Sequence, residues 1–147
     1  MTAYFDTGVL LKNYCNEPNS PEAIALILAE PAPLPLTHFQ EAELRNTFRL
    51  KVFRKEVTAP LMTIAIDLLD EDIRLGRLER TRTNLENVYR KAEELSRLHT
   101  INTGTRLLDI LHVAAALEIG APRFVSFDLR QCAMAKKAGL KVLSKPN

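Results

Sequence analysis

The chain has 147 residues, enough for one domain with a substantial hydrophobic core. Hydrophobic residues make up 46% of it and charged residues 26%, which is typical of a soluble globular protein, and the formal net charge of +2 does not by itself indicate a nucleic-acid-binding protein. No apolar stretch is long enough to cross a bilayer, so a membrane-spanning protein is excluded.

Short apolar runs alternate with helical patterns along the chain. The apolar runs predict strands at 3–5, 34–36, 124–127 and 142–143. Apolar periodicity and capping residues predict seven helices, one beginning near Val9 and others at about 19–28, 37–55, 58–76, 84–98, 106–118 and 128–139. Thr37 and Asp128 each precede a glutamine by three residues, the spacing of a capping box. No repeat or linker divides the sequence, so we expect one domain over residues 1–147.

Two aspartates come directly after predicted strands. Short apolar strands separated by helices predict an α/β fold, with a parallel sheet covered on both faces. In such sheets the ligand crevice lies beyond the carboxyl ends of the strands, which is where Asp6 and Asp128 fall. Each is also a suitable helix N-cap, and capping is compatible with metal binding. We therefore expect both in one site.

The predicted helix from 106 to 118 is apolar around most of its circumference. Only Asp109 and His112 can ionise between Leu107 and Leu117. Such a helix is buried, and an ionised carboxylate there is costly unless it is paired or bound to a metal. The alternative is a first-turn acid favoured by the helix dipole and paired with Arg106. We favour the metal site for Asp109, and for His112 a hydrogen-bonding role over that of ligand or proton shuttle.

The third predicted helix offers two acids, Glu41 and Glu43, on nearly opposite sides. Periodicity does not choose between them, because each lies beside an apolar stripe. The stripe beside Glu43 contains Phe39, Ala42, Leu50 and Phe53, and the stripe beside Glu41 contains Leu44, Phe48 and Val52. Two stripes on one helix predict that one faces the core and the other a partner, either a second copy or another protein.

Four motifs resemble those of the PIN-domain ribonucleases, in the right order and spacing over residues 3–143. They are Tyr-Phe-Asp6-Thr7, Glu43-Leu-Arg-Asn, Arg106-Leu-Leu-Asp109-Ile-Leu-His112, and Ser126-Phe-Asp128-x-Arg-Gln. The sequence is most similar to the VapC-type toxins of bacterial toxin–antitoxin pairs. The resemblance implies a three-layer α/β/α fold with a central short parallel sheet and about seven helices. The stretch from 58 to 98 is the least similar to the family.

The resemblance also implies a function and a set of site residues. It selects Glu43 over Glu41 and implies that Asp6, Glu43, Asp109 and Asp128 bind Mg²⁺ or Mn²⁺, with Asp128 binding directly or through water. It further implies an endoribonuclease that hydrolyses RNA, commonly forms a homodimer and is restrained by a small antitoxin protein. Carboxylates are suitable ligands for such hard cations, and no covalent nucleophile is needed.

Several neighbouring polar residues are candidates for supporting roles. The hydroxyls of Thr7 and Ser126 adjoin two of the acids, where we expect them to orient a carboxylate or a bound water, with capping or turn formation as the equal alternative. Arg45, Arg49 and Arg106 are candidates for contacting the RNA backbone, although a solvated surface role is the simpler explanation for any one of them.

Three other functions compete with the nuclease. Asp6-Thr7-Gly8 is also the aspartic-protease signature, but those proteins are all-β. A phosphotransferase using Asp6 as nucleophile is disfavoured, because the expected second acid two residues on is Gly8. A PIN-like module that binds RNA or protein without cutting is the remaining alternative, and the presence of all four acids argues against it.

The cysteines and the first residues favour a reducing cytoplasm. Cys15 and Cys132 have no CxxC spacing, and we expect both to be reduced. The residues before Asp6 lack the basic region and apolar run of a signal peptide. The expected location is therefore cytoplasmic.

Overall fold

The computed structural model describes residues 2–144 as alternating strands and helices. The strands are β1 Tyr4–Phe5, β2 Leu34–Thr37, β3 Leu78–Thr81, β4 Arg123–Val125 and β5 Lys141–Leu143. The helices are α1 Thr7–Leu11, α2 Ser20–Leu28, α3 His38–Phe53, α4 Ala59–Arg74, α5 Leu85–Thr103, α6 Leu107–Glu118 and α7 Leu129–Lys137. The described part thus contains the seven predicted helices.

All paired strands run parallel, in two groups. β4 lies between β1 and β5, with Phe124 opposite both Tyr4 and Val142. β2 pairs with β3 in register from Leu34 opposite Leu78 to the ends of both strands. Parallel neighbours require crossover connections, and helices supply them. The carboxyl ends of paired strands therefore lie at the same end of the sheet.

Helices cover both faces of the strands. Phe5 and Val125 point into an apolar cluster built mainly with residues of α1, α3 and α4. Tyr4 and Phe124, one residue earlier on the same strands, point into a second cluster with α5, α6 and α7. Successive side chains of a strand face opposite sides, so these two clusters are the two faces of the sheet. The layers are helix, sheet and helix, as predicted.

One strand was not predicted, and several predicted boundaries are shifted. β3 lies in the stretch from 58 to 98, between α4 and α5. The helix expected to end near Leu98 continues to Thr103, where Gly104 closes it with a φ of +64°. The helix expected to reach Lys55 ends at Phe53. β3 is a sheet edge in the described residues, and its exposed polar side chains hid it from a search for apolar runs.

The two stripes of α3 have different surroundings. Leu44 and Phe48 are fully buried, so the stripe they belong to faces the core. Phe53, in the other stripe, is 83% exposed. Glu41 turns toward β3, where Arg80 Nε donates to it at 2.7 Å. The prediction that the exposed stripe meets a partner stays a prediction.

Cys15 and Cys132 are both free thiols. Among the helices of residues 2–144, none combines the length and apolar character needed to cross a bilayer.

Candidate active site

Asp6 is the residue between the end of β1 and the start of α1. Its backbone N–H donates to the carbonyl of Val125 at 2.9 Å, which extends the β1–β4 pairing by one residue. Its Oδ2 accepts a hydrogen bond from Gly8 N at 3.3 Å, so it caps α1 as predicted. Strand pairing thus fixes the backbone of Asp6 and leaves the other carboxylate oxygen directed into the crevice.

Asp6, Glu43 and His112 form a close cluster. One candidate ligand atom from each lies within 4.8 Å of the others. His112 Nε2 is 2.9 Å from Glu43 Oε1 and 3.8 Å from Asp6 Oδ1. Glu43 lies in the second turn of α3, after a first turn closed by a capping box between Thr37 and Gln40. Of the two acids on α3, only Glu43 therefore lies in the cluster.

His112 is buried, and its ring is held on several sides. Phe39 packs against it at a centroid distance of 4.4 Å, and Thr7 Oγ1 lies 3.4 Å from Nε2. An ionised carboxylate only accepts hydrogen bonds, so the Nε2 that contacts Glu43 carries the proton. Nδ1 then accepts from the Tyr4 hydroxyl at 2.8 Å, because burial raises the pKa of Tyr4 and keeps it protonated. His112 could ligate a cation only in the other tautomer.

Asp109 lies in the first turn of α6 and is partly buried. Burial raises its pKa, and the negative charges of Asp128 and Asp6 raise it further. Burial likewise raises the pKa of Asp6, although His112 and a hydrogen bond from Gln131 oppose the effect. These carboxylates therefore destabilise one another's ionised forms, and a bound cation would relieve that repulsion.

The pKa of Glu43 shifts in the opposite direction from those of Asp6 and Asp109. Partial burial raises its pKa, but hydrogen bonds from His112 and Thr7 outweigh this, and the net pKa lies below its usual range. Glu43 therefore stays ionised beside two acids that resist ionisation. The Thr7 hydroxyl thus adjoins the carboxylate of Glu43.

Asp128 is exposed and follows the carboxyl end of β4. Its Oδ1 accepts from Gln131 N at 2.9 Å, so it caps α7. It lines an open cleft together with Asp109, Arg106, Leu129 and Arg130. Asp128 therefore lies beside Asp109 on the solvent side, and its binding a metal directly or through water stays a prediction.

The three arginines predicted to contact RNA lie in different environments. Arg106 lines the cleft beside Asp109. Arg49 is exposed on α3. Arg45 forms an ion pair with Asp70 and lies 3.6 Å from Glu41, so its charge is already balanced. Arg106 has the best placement of the three, and Arg130 beside it was missed from the sequence.

Gln131 is a second site residue that the sequence analysis did not identify. Its side chain is fully buried, and Nε2 lies 3.3 Å from both Asp6 Oδ1 and the Asp109 carbonyl oxygen. The capping-box spacing suggested that this glutamine bonds back to the N–H of Asp128. That N–H donates instead to Ser126 Oγ at 3.0 Å, which leaves the Gln131 amide free to reach the site.

The donor set fits a hard divalent cation. The carboxylates of Asp6 and Glu43 lie in one cluster, and that of Asp109 is near enough for their charges to raise its pKa. Such oxygens are the ligands that Mg²⁺ and Mn²⁺ prefer. A cation bound here would offset the repulsion that these pKa shifts indicate.

Comparison with known proteins identifies the fold. No protein-family model matches the chain, and no curated protein matches its sequence. Among solved structures, it is similar to a chain in the crystal structure of FitAcB from Neisseria gonorrhoeae, with a TM-score of 0.62 and 17% identity over 95% of this chain and 94% of that one. A likeness at this identity shows a shared fold only. The chain has a three-layer α/β/α, PIN-like fold.

Proposed function

We propose that this protein is a divalent-metal-dependent endoribonuclease, the VapC-type toxin of a type II toxin–antitoxin pair. The observation that carries the proposal is the close cluster of Asp6 and Glu43 beside His112, with Asp109 near enough for the charges of Asp128, Asp6 and Glu43 to raise its pKa. Further support comes from the likeness of the protein's fold to a chain in the crystal structure of FitAcB, at a TM-score of 0.62.

The chain's own residues would bind the cation and the RNA. Asp6, Glu43 and Asp109 would hold Mg²⁺ or Mn²⁺, and Asp128 would complete the site directly or through water. When bound, the cation would supply a more acidic water and stabilise charge on the phosphoryl group. His112 would hold Glu43 in place through its 2.9 Å contact, and its burial would keep bulk water from that side of the carboxylate.

The proposal is tested by incubating purified protein with a mixed RNA in Mn²⁺ and, separately, in EDTA. Internal cleavage in Mn²⁺ that EDTA stops, with single-stranded DNA left intact, is the expected result. Binding of RNA without cleavage in either condition would favour the non-catalytic PIN-like module. Transfer of phosphate to Asp6 would favour the phosphotransferase.

Divalent metal should stabilise the folded protein. Asp6 and Asp109 repel other carboxylates in the metal-free state, as their raised pKa values indicate. A cation that binds only the folded state adds about 2.7 kcal/mol when its free concentration is 100 times its Kd. We expect the melting temperature of chelator-treated protein to rise with added Mn²⁺, and to rise less in Asp6→Asn. A wild-type melting temperature that does not change when Mn²⁺ is added would contradict the metal site.

The cleft beside the acids is suited to an RNA backbone. Arg106 and Arg130 are exposed there, and neither forms an ion pair within residues 2–144. Exposed arginines that are not neutralised can contact phosphates. We therefore place the phosphates that flank the cleaved bond along this side of the site.

Removing these two charges should weaken RNA binding. Each lost phosphate contact lowers the slope of log K against log salt by about 0.7 to 1. We expect the Arg106→Gln, Arg130→Gln double variant to bind a labelled RNA more weakly in EDTA, with a slope reduced by about 1.5 to 2. Arg90→Gln is the matched control, since Arg90 on α5 is already paired with Glu86. Equal salt slopes in all three proteins would place the RNA elsewhere.

A homodimer and an antitoxin are the proposed protein partners. Leu61, Ile64 and Leu68 recur every three or four residues on α4, and each is about half exposed. Apolar side chains aligned on an exposed helix face are typical of a protein-binding surface. Light scattering of the purified protein tests the homodimer. Purification from the native host, with identification of any small protein that accompanies the chain, tests the antitoxin.

A further inference from the structure

Two buried glutamines contact opposite sides of the end of β1. Gln40, in the first turn of α3, and Gln131, in the first turn of α7, are both 0% exposed. A buried amide is costly unless it is hydrogen-bonded, so the partners of each glutamine indicate what it does.

The partners of Gln40 belong to the framework of the fold. Its Oε1 accepts from Thr37 N at 2.7 Å and from Thr37 Oγ1 at 3.1 Å, which completes the cap of α3. Its Nε2 donates to the Phe5 carbonyl at 2.7 Å. Gln40 therefore joins α3 to β1 without touching a site carboxylate.

The partners of Gln131 belong to the site. Its Nε2 donates to Asp6 Oδ1 and to the Asp109 carbonyl, each at 3.3 Å. Its Oε1 accepts from Ser126 Oγ at 2.6 Å, which fixes the orientation of the amide and points its NH₂ group at Asp6. One side chain thus connects the carboxylate of Asp6 with the first turn of the helix that carries Asp109.

Without the hydrogen bond from Gln131, the Asp6 carboxylate would be positioned by fewer contacts. Its Oδ2 is bonded to Gly8 N at 3.3 Å, whereas Oδ1 has His112 Nε2 only at 3.8 Å. Glu43 and Asp109 both repel the carboxylate. A neutral amide counters this repulsion with a hydrogen bond and adds no charge. A lysine would compete with a cation, and a glutamate would add a further negative charge.

We infer that Gln131 is a positioning residue, which holds the Asp6 carboxylate and the start of α6 in place for cation binding. The inference rests on the proposed function. Residues that orient metal ligands typically contribute 10- to 100-fold to metal affinity.

Titration calorimetry with Mn²⁺ on the full chain tests the inference. Gln131→Met keeps the size of the side chain and removes all three of its side-chain hydrogen bonds, and we expect Mn²⁺ affinity to fall by about 10- to 100-fold. Gln40→Met is the matched control from an equally buried position. It should lower the melting temperature but leave Mn²⁺ affinity within about 2-fold at a temperature where circular dichroism shows both variants folded, because Gln40 touches no ligand.

The outcomes separate this inference from the proposed function. Wild-type protein that binds no Mn²⁺ would overturn both. Wild-type binding that is unchanged in Gln131→Met, or weakened equally in Gln40→Met, would overturn the positioning role alone. If Gln131→Met does not fold, Ser126→Ala takes its place, since it frees the amide to rotate. Its affinity should fall in the same direction, and an unchanged affinity would overturn the inference.

Discussion

Replacing Asp6 by asparagine should lower the rate of Mn²⁺-dependent RNA cleavage by at least about 100-fold, because loss of a group that merely orients a metal ligand already costs 10- to 100-fold. The same change at Asp109 should have a similar effect. Both acids have raised pKa values in the metal-free site, so a neutral amide of the same shape removes repulsion. The melting temperatures of both variants without metal should therefore equal or exceed that of the wild type.

Glu41→Gln is the control for these variants. It makes the same chemical change on α3, but its carboxylate is paired with Arg80 on the side away from the crevice. Cleavage is measured with a labelled RNA at saturating Mn²⁺, and folding by circular dichroism. Glu41→Gln should cleave at nearly the wild-type rate. If both aspartate variants cleave as fast as the wild type, the nuclease proposal fails.

Phe48→Ala should be among the most destabilising single substitutions in the chain. Phe48 is fully buried, and Tyr14 packs edge-on against its ring at 6.1 Å. Truncating a buried phenylalanine costs about 3–5 kcal/mol through lost burial and the cavity left behind. For a domain of this size, that corresponds to a fall in melting temperature of about 6–20 °C.

Phe53→Ala is the matched control on the same helix. Phe53 is 83% exposed, so its truncation should change the unfolding free energy by less than about 0.5 kcal/mol. Urea unfolding followed by circular dichroism compares the two variants. A loss for Phe53→Ala as large as that for Phe48→Ala would show that the exposed stripe is covered by a second copy in solution.

The sequence was sufficient to place two of the acids. Apolar runs predicted strands before Asp6 and Asp128, and parallel strands present their carboxyl ends at one edge. The structure pairs β1 with β4, so the two residues do follow neighbouring strand ends. A local pattern and a general rule about sheets were enough here, because Asp6 directly follows β1 and Asp128 lies three residues after β4.

Glu43 required more than local pattern. Periodicity left Glu41 and Glu43 equal, and the resemblance to PIN-domain proteins selected Glu43. In the structure, the groups that distinguish them are His112 for Glu43 and Arg80 for Glu41. His112 and Arg80 both lie far from α3 along the chain. The sequence of α3 alone therefore does not distinguish the two glutamates.

Gln131 and β3 were missed for related reasons. The spacing from Asp128 assigned Gln131 to a cap, and only the hydrogen bond from the Asp128 N–H to Ser126 showed that its amide was free for the site. In β3, Glu79 and Arg80 are exposed and polar, and the strand pairs with β2 alone among the described residues. Pairing at a sheet edge depends on a neighbour, which composition does not reveal.

The pairing of β1 with β4 also affects when the proposed site can form during synthesis of the chain. Tyr4 lies opposite Phe124, so the edge that holds Asp6 is completed by a strand about 120 residues later in the chain. At 5–20 residues per second, a ribosome needs about 6–24 s to cover that distance. Through that interval the growing chain contains Asp6 and then Glu43, but neither β4 nor α7, the helix that carries Gln131. The proposed site is therefore not complete until β4 and α7 have been synthesised.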